Sequence, residues 1–354
     1  MEQRLVSPGA FCPNASCALY GRAKGNRVIR FGKTASGIQR YQCAACGRTF
    51  TEAKGAVFYK KQTPRKEILE TLSFLAEGSR ISSISRVKGL KEDTILRWLR
   101  DARRGGGRGA VAGLLAQPRS DRRAVGVCRA NKGGEDAEKG ESWRCAVVEM
   151  DTRLRAARGL AENETKGWVE ALTALKRRDH PDSPPPLASD GWGGHREAWV
   201  EVWGKVPEYG GRGRPPTRKQ PQEGWQHLQV VKERDNGHLT GVRLEVPYGD
   251  PSEVIDRLGE SIAHGERTHL TMRQMNGRLV RKGLGFSKEF EMLQASCAWD
   301  DLIYNLCRAV KTLRVEAKEE GRRWIPRSPA MAAELTDHIW TVEELLTKIP
   351  IPNM

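Results

Sequence analysis

Between positions 57 and 104 the pattern of apolar and polar residues is helical. Apolar residues form three helical stripes, within residues 68–75, 81–84 and 90–99, and those of the first, Ile68, Leu72 and Leu75, are spaced four and three apart. Gly78 separates the first two stripes, and Lys88-Gly89 forms a turn before the third. A short helix, a turn and a basic helix are the elements of a helix-turn-helix. The basic helix carries Lys91, Thr94, Arg97, Arg100 and Arg103.

The basic face of this third helix has two interpretations. In a DNA-binding motif it would enter a major groove, with basic side chains on phosphates and one or two on base edges. In an ordinary three-helix packing unit it would only be solvated. The charge of the chain favours DNA, because 354 residues carry 60 Lys and Arg against 44 Asp and Glu, a net charge of +16.

From about residue 123 the pattern changes to strand-like runs that alternate with helical ones. Strands are predicted at Val125–Ala130, Trp143–Glu149 and Arg155–Ala161, and a short strand ends at Asp190. Such alternation predicts an α/β domain. The Gly- and Arg-rich residues 105–122 before it are predicted to be a linker.

No membrane-spanning or secretory segment is predicted. The start, MEQRLVSPGAF, lacks a basic stretch followed by an apolar core, and apolar runs such as AVAGLLA are far too short to cross a bilayer. We therefore expect an intracellular protein with no membrane partner, in which the eight cysteines are thiols or metal ligands rather than disulfides.

Four of the cysteines have metal-ligand spacing. Cys12 and Cys17 lie in CPNASC, Cys43 and Cys46 in CAAC, and 25 residues separate the two pairs. Two close pairs on two turns can place four thiolates tetrahedrally around one zinc ion. The strand-like NRVIRFG and QRYQC between them predict a hairpin, and thus a structural zinc ribbon. The alternative is a chance pairing of cysteines.

Two acids of the α/β segment have a distinctive context. Asp190 lies in LASDGWGG, at a strand end before a Gly-Trp turn, and Glu266 begins a basic helix on which Met272, Met275 and Leu279 form a buried stripe. Carboxylates at a strand end and a helix start could converge on Mg²⁺ for phosphodiester chemistry. Taken alone, however, an isolated acid of this kind is usually a solvated surface group.

The order of these parts resembles DDE-type transposases of the insertion-sequence-one class. The resemblance is carried by CPNASC with YQCAACGRTF, the following helix-turn-helix, SDGW, ERTHLTMRQMNGRLVRKGLGFSK, YNLCRAVKTLR and RSPAMAAELTDHIW. It covers nearly the whole chain, and the ERTHLTMRQ…LGFSK run is its most specific part. It divides the chain into a zinc ribbon (1–56), a helix-turn-helix (57–104), a linker (105–122), a ribonuclease-H-like domain (123–315) and a C-terminal tail (316–354).

The resemblance implies a multidomain α/β protein whose mixed sheet presents Asp, Asp and Glu to two Mg²⁺ or Mn²⁺ ions. Asp190 and Glu266 would be the second and third of these acids, and Arg273 and Arg278 would contact the DNA backbone. The implied partners are double-stranded DNA, as element ends and as target, and further copies of the chain. We expect a prokaryotic cytoplasmic protein associated with the nucleoid.

The first catalytic acid of the family lies on the first strand, about twenty residues before the turn into the third strand. Counting back from Asp151 in that turn leads to Asn131, which has no charge. Three interpretations follow: the chain binds DNA without cutting it, another acid (Glu135, Asp136 or Asp151) replaces the missing one, or partial metal binding leaves slow chemistry. The expected function is therefore Mg-dependent DNA cleavage and strand transfer, and the alternative is an inactive, transposase-derived DNA-binding protein or transcriptional regulator.

Overall fold

The structure is a computed structural model, and its strands and helices lie in two compact units. The described residues are 5–6, 12, 14, 16–18, 28–35, 37–51, 54, 57–106, 123–131, 142–178, 180–211, 213–280, 287–317, 323–347 and 349–350. The first unit contains residues 1–116, 274–278 and 287–354, and the second contains residues 117–273 and 279–286. Glu135, Asp136 and most of the predicted linker lie outside the described residues.

The elements are numbered along the chain. The strands are β1 (Leu5–Val6), β2 (Val28–Lys33), β3 (Gln39–Cys43), β4 (Thr49–Thr51), β5 (Ala124–Asn131), β6 (Ser142–Glu149), β7 (Arg155–Ala161), β8 (Leu187–Asp190), β9 (His227–Asp235), β10 (His238–Tyr248), β11 (Val315–Glu316), β12 (Trp324–Ile325) and β13 (Ile349–Pro350). The helices are α1 (Arg65–Ala76), α2 (Ile81–Lys88), α3 (Glu92–Gly106), α4 (Glu164–Arg178), α5 (Gly194–Trp203), α6 (Pro251–Leu258), α7 (Ala263–Met275), α8 (Phe290–Leu302), α9 (Pro329–Ala332) and α10 (Val342–Thr347).

The first unit contains a small three-stranded sheet and a helical core. Strands β2, β3 and β4 form an antiparallel meander in that order. The core lies between α1, α3, α8 and α10, where Leu72, Trp98, Trp299 and Leu345 are buried. The Trp299 indole N–H donates to the Leu72 carbonyl across 3.2 Å, so the aromatic ring is fixed in the core by a satisfied polar end.

The three helices predicted between residues 57 and 104 are confirmed. The apolar stripes are buried, as Ile68, Ile84 and Ile95 show. Gly89 ends α2 with a φ of 67°, a left-handed conformation that favours glycine, and this reverses the chain before α3. The Ser85 hydroxyl closes the turn by donating to the Leu90 carbonyl over 2.6 Å.

The second unit is built on a six-stranded mixed sheet in the order β10-β9-β8-β5-β6-β7. Strands β5, β6 and β7 are antiparallel neighbours, and β8 pairs in parallel with both β5 and β9. Strand β10 closes the other edge antiparallel to β9. The mixed α/β class predicted from the sequence is confirmed, and the predicted strands lie within one residue of their observed bounds.

Each face of this sheet is covered by two helices. Trp168 and Leu172 of α4 and Trp199 of α5 pack on one face. Val254 of α6 and Met272 of α7 pack on the other. Side chains alternate along a strand, so successive residues of β8 belong to opposite faces: Leu187 to the α4–α5 face and Ala188 to the α6–α7 face.

The observed units differ from the predicted regions at the C-terminal end. Residues 287–315 belong to the first unit, whereas the expected ribonuclease-H-like domain extended to residue 315. The predicted tail contributes the buried Trp340, Leu345 and Leu346 to the same helical core. The sequence alone did not reveal this, because an apolar stripe shows which face of a helix is buried but not against which element.

The prediction for the cysteines outside the four-residue cluster is wrong at one position. Cys145 is disulfide-bonded, although it was expected to be a thiol. The β5–β6 register sets Cys128 directly opposite Cys145, which brings two cysteines into a cross-strand pair. None of the helices in the described ranges combines the length and the apolarity that a bilayer-spanning segment needs.

Candidate functional site

The four cysteines of the first unit form one compact cluster. Cys43 ends β3, and Cys46 lies in the turn that follows it, where Gly47 (φ of 67°) returns its N–H to the Cys43 carbonyl at 2.8 Å. The other turn contributes Cys12 and Cys17. Arg48 links the two turns by donating to the Asn14 side-chain carbonyl at 3.2 Å. All four sulfur atoms lie within 4.8 Å of one another.

The distances between the sulfur atoms suit a tetrahedral metal ion such as zinc. Cys12 Sγ lies 3.7 Å from Cys46 Sγ, and Cys17 Sγ lies 3.8 Å from Cys43 Sγ. Four sulfurs at about 2.3 Å from a central ion would be separated by about 3.8 Å. Disulfides would require about 2 Å. The predicted ligand set is therefore brought together in a geometry that can hold a metal, with four ligands and no open position for chemistry.

The thiols of this cluster differ in their environment. Burial raises the pKa of Cys12 to about 12, whereas the backbone N–H of Arg48 lowers the pKa of Cys46 to about 6. A metal ligand must be deprotonated, so Cys46 offers a thiolate near neutral pH. The buried Cys12 would be deprotonated by the ion itself.

The predicted DNA-binding residues of the helical segment differ in exposure. Lys91 and Arg97 are exposed, and Thr94 is half-buried. Arg100 lies 3.8 Å from the Glu289 carboxylate, so part of its charge is already compensated. The acidic Glu92 and Asp93 in the first turn of α3 are exposed as well. The clearest cationic positions of this segment are therefore Lys91, which immediately precedes α3, and Arg97 on the helix.

In the second unit, Asp190 is held at the end of β8 by a buried histidine. His195 Nε2 donates to Asp190 Oδ1 over 2.8 Å, and the Trp192 backbone N–H reaches the same oxygen at 3.2 Å. Burial would raise the pKa of Asp190, but the His195 hydrogen bond and charge, the Trp192 N–H and the charge of His269 together hold this pKa below its usual value. Asp190 is thus an ionised carboxylate at neutral pH.

The ring of His195 is fixed by aromatic neighbours. Trp168 of α4 meets it edge-on with ring centroids 4.6 Å apart, and Trp192 does so at 5.1 Å. Gly194 is needed here, because a Cβ would lie 2.1 Å from the Trp192 ring. His195 is only 2% exposed. His195 is thus a packed histidine that orients Asp190.

Glu266 lies in the first turn of α7, as predicted, and it is bound to a cation. The Lys232 ammonium of β9 pairs directly with its carboxylate. His269, three residues further along α7, is buried and close enough to Asp190 to lower the pKa of that acid. The α7 helix therefore faces the Asp190 strand end. The negative charge of Glu266 itself is compensated by Lys232.

Asn131 does not lie level with Asp190 in the sheet. The parallel register pairs Val125 with Ala188, and its continuation by two residues brings Asp190 level with Val127. Asn131 is four residues further on, about 13 Å along the strand. The backbone alone is described for Asn131. Because the β5 sequence is AVGVCRAN, no register places a carboxylate of β5 beside Asp190.

Asp151 does not replace the missing acid. It pairs with the Arg123 guanidinium, at the end of the sheet where β5 begins. This agrees with its expected position at the far end of the neighbouring strand. The two acids proposed in the loop after β5, Glu135 and Asp136, lie outside the described residues. Of the three candidates for the missing acid, the structure therefore excludes Asp151.

Glu164 is an acid near Asp190 that the sequence analysis did not select. It begins α4, one turn before Trp168, which contacts His195. Burial and then the charge of Asp190 raise the pKa of Glu164 to about 7. A glutamate at the first position of a helix is common, because it favours the helix dipole. Its sequence context therefore carried no signal of this proximity.

The two arginines assigned to the DNA backbone lie in different settings. Arg273 is half-buried on α7. Arg278 follows that helix and donates to the Ser287 hydroxyl, and burial lowers the pKa of its guanidinium. Arg278 is thus engaged within the protein.

Among the described residues, the cysteine cluster is the only group of three or more His, Cys, Asp and Glu side chains close enough to share an ion. Asp190 with Glu266 therefore does not fit a two-ion site as it stands. No protein-family model and no curated protein matches this sequence.

Proposed function

We propose that this chain is a transposase-family protein that binds double-stranded DNA and belongs to the insertion-sequence-one class of DDE enzymes. The observation that carries the proposal is the end of β8, where Asp190 is held ionised by a buried histidine while α7, which carries Glu266 in its first turn, faces the same strand end. A mixed sheet that presents acids at this place is what the resemblance to these transposases implies. In this interpretation the second unit, which contains residues 117–273 and 279–286, corresponds to a ribonuclease-H-like domain.

The first unit supplies the DNA-binding parts of the proposal. The β2–β3–β4 meander with four clustered cysteines is interpreted as a zinc ribbon. Helices α2 and α3, joined by a turn at Gly89, are interpreted as a helix-turn-helix with Lys91 and Arg97 toward phosphates. We assign Thr94 to a base edge, and Arg100 to a phosphate after its release from Glu289.

A second function is favoured by a specific observation, the absence of any acid on β5 together with the ion pair between Lys232 and Glu266. Two divalent ions need more negative charge than is provided by the ionised Asp190 and by Glu266, whose charge is compensated by Lys232. In this alternative the chain is a transposase-derived DNA-binding protein or regulator that does not cut DNA. We derive no catalytic step through Mg²⁺ or Mn²⁺, because the described acids do not fit the two-ion site.

Plasmid nicking separates the two functions. Supercoiled plasmid is incubated with the full chain and Mg²⁺ or Mn²⁺, and the variants are Glu266→Gln, Asn131→Asp and Val127→Asp. Nicking by the native chain that Glu266→Gln abolishes supports the enzyme. Nicking gained only in Val127→Asp, with Asn131→Asp inactive, supports a disabled site whose missing acid belongs level with Asp190.

DNA binding is tested independently by fluorescence anisotropy with duplex DNA at several salt concentrations. Removal of two phosphate contacts in Lys91→Gln/Arg97→Gln should lower the salt-dependence slope by about 1.8. Arg214→Gln/Arg218→Gln removes two charges from an exposed loop and is the matched control. A native chain without measurable duplex affinity at low salt would contradict both functions. Sedimentation with and without DNA tests the expected self-association.

A further inference from the structure

The face of the β2–β3–β4 sheet that points away from the cysteines carries exposed apolar side chains and is not covered by any of the residues that the structure describes. The register places Val28, Tyr41 and Phe50 on the cysteine side, where Phe50 is buried. Their strand neighbours lie on the opposite side. We call this the outer face, and it is formed by Ile29, Phe31, Ile38, Arg40, Gln42, Thr49 and Thr51.

The outer face combines exposed apolar side chains with positive charge. Ile29 is 51% exposed, and Phe31 and Ile38 are each 43% exposed. The Arg40 guanidinium lies over the Phe31 ring, 5.4 Å from its centroid. This arrangement leaves a flat aromatic and guanidinium surface open to solvent instead of a packed core. Large exposed apolar groups that cluster in this way mark an interaction surface.

The charge of the sheet identifies the kind of partner. Residues 28–51 contain Arg30, Lys33, Arg40 and Arg48 and no acid. Arg40 lies on the outer face itself and the other three lie elsewhere on the same small sheet, so a second copy docked face to face would meet uncompensated positive charge, which is unfavourable. A polyanion removes the repulsion. The partner must also cover the apolar side chains of the outer face. Duplex DNA does this poorly, because the faces of its bases are hidden within the base stack.

We propose that the outer face binds unpaired, single-stranded DNA, with a base stacked on Phe31 and a phosphate on Arg40. Aromatic side chains in a basic groove bind single strands in this manner without strong sequence preference. Ile29 and Phe31 are two residues apart on one strand, roughly 7 Å, which leaves room for two or three bases. The inference rests on the proposed function only in taking DNA as the nucleic acid.

In the protein's proposed role, such a surface would hold the strand that is opened next to a cut or melted end. The helical segment α1–α3 would bind duplex DNA, and the outer face would bind unpaired bases. The two contacts are chemically different, because one depends on charge and the other on stacking. They can therefore be removed separately.

The test measures anisotropy of the full chain with labelled 12-nucleotide single-stranded DNA, the matching duplex and the matching RNA. Phe31→Ala should weaken single-strand binding about 5- to 150-fold and change duplex binding less than about 2-fold. Phe31→Trp should restore it. The matched control is Tyr59→Ala, which removes another exposed aromatic residue beside a cation, since Lys60 lies 5.6 Å from that ring.

Zinc content is measured for each variant, and if Phe31→Ala loses the metal, Arg40→Gln takes its place in the comparison. Equal single-strand affinity in Phe31→Ala and Tyr59→Ala overturns the inference. The inference is also overturned if Phe31→Ala loses duplex binding as much as single-strand binding. It is overturned as well if the native chain prefers RNA over single-stranded DNA by more than about tenfold, or if Phe31→Ala changes the oligomeric state and leaves DNA binding intact. A chain that binds duplex but no single strand keeps the proposed function and loses the inference. A chain that binds neither loses both.

Discussion

In the cysteine cluster the four sulfur atoms lie within 4.8 Å of one another, whereas at the end of β8 each acid is held by a different protein group. Asp190 accepts a hydrogen bond from His195, and Glu266 pairs with Lys232. Both places were predicted to bind metal. Only the first gathers its ligands around a common centre.

The difference lies in what each ligand does without an ion. A buried thiol has no strong partner among protein groups, so four thiols on two turns have little to gain from any arrangement except a shared metal. A carboxylate readily finds an arginine, lysine, histidine or backbone N–H. An acidic site therefore can be complete as a protein structure and still be incomplete as a metal site.

The largest effect is expected from loss of the cysteine cluster. Cys43→Ala removes a ligand at the end of β3 and should abolish stoichiometric zinc, because structural zinc in small domains contributes about 10–16 kcal/mol of folding free energy. Residues 28–51 should then lose their protection in hydrogen exchange. Metal analysis and exchange mass spectrometry provide the measurement, and a chelator should reproduce the result in the native chain.

Cys307→Ala is the control for this change, because it removes a half-buried cysteine outside the cluster. It should leave zinc content and exchange of the sheet unaltered. If Cys43→Ala retained one zinc per chain, or if the chelated sheet kept its protection, the four cysteines would not form the structural site proposed here.

The next effect separates the two acids. Asp190→Ala leaves the buried His195 N–H without its acceptor and should destabilise the second unit by about 1–3 kcal/mol at pH 7. Glu266→Ala removes an exposed ion pair and should cost less than about 0.5 kcal/mol. Thermal unfolding followed by tryptophan fluorescence reports the difference, because Trp168 and Trp192 contact His195.

Acid pH should diminish the Asp190 effect. The folded pKa of this aspartate is below its unfolded value of 3.8, so its contribution is fully present above that value and is lost as the pH falls through the folded pKa. The gap between the native chain and Asp190→Ala should therefore close below about pH 4. Asp190→Asn keeps an oxygen acceptor and should fall between the two. A gap that is constant with pH would show that the lost contact is not ionic.

The sequence predicted the cysteine cluster more completely than the acidic site, and this difference has a physical reason. The ligands of the cysteine cluster lie on local turns, so spacing along the chain was sufficient to find all four. The strands that carry Asp190 and the helix that carries Glu266 were also predicted. However, His195, Glu164 and Lys232 act on these acids from other elements, and the strand pairing that brings them together leaves no mark in the sequence. For the same reason, counting residues placed the missing acid at Asn131, whereas the β5–β8 register points to Val127.

A pH-dependent effect of intermediate size is expected at Glu164. Its pKa is raised from 4.5 to about 7, so this group favours the folded state below pH 4.5, and that advantage is lost as the pH rises through about 7. Glu164→Gln should therefore be more stable than the native chain at pH 8, by about 1–2 kcal/mol after allowance for partial exposure, and should show no gain at pH 4. Thermal unfolding across this pH range provides the measurement.

Glu162→Gln serves as the matched control for Glu164. Glu162 lies two residues earlier, is exposed, and has its pKa lowered by Lys166. Its replacement should give a small change of the opposite sign. If both glutamines had the same pH profile, the burial of Glu164 and its proximity to Asp190 would not be the cause. Asp190 would then be the only carboxylate of the acidic site with a perturbed pKa.

The smallest effect concerns whether the acidic site can be moved toward metal binding. Lys232→Gln removes the cation from Glu266 and, because the pair is partly exposed, should change stability by less than about 0.5 kcal/mol. Calorimetry with Mn²⁺ should nevertheless show a several-fold gain in affinity, since the freed carboxylate no longer has a competing partner. Lys232→Gln/Glu266→Gln should cancel that gain. A native chain that already binds Mn²⁺ as tightly as Lys232→Gln would remove the contrast between the two regions, because Lys232 would then yield its carboxylate to the ion at no measurable cost.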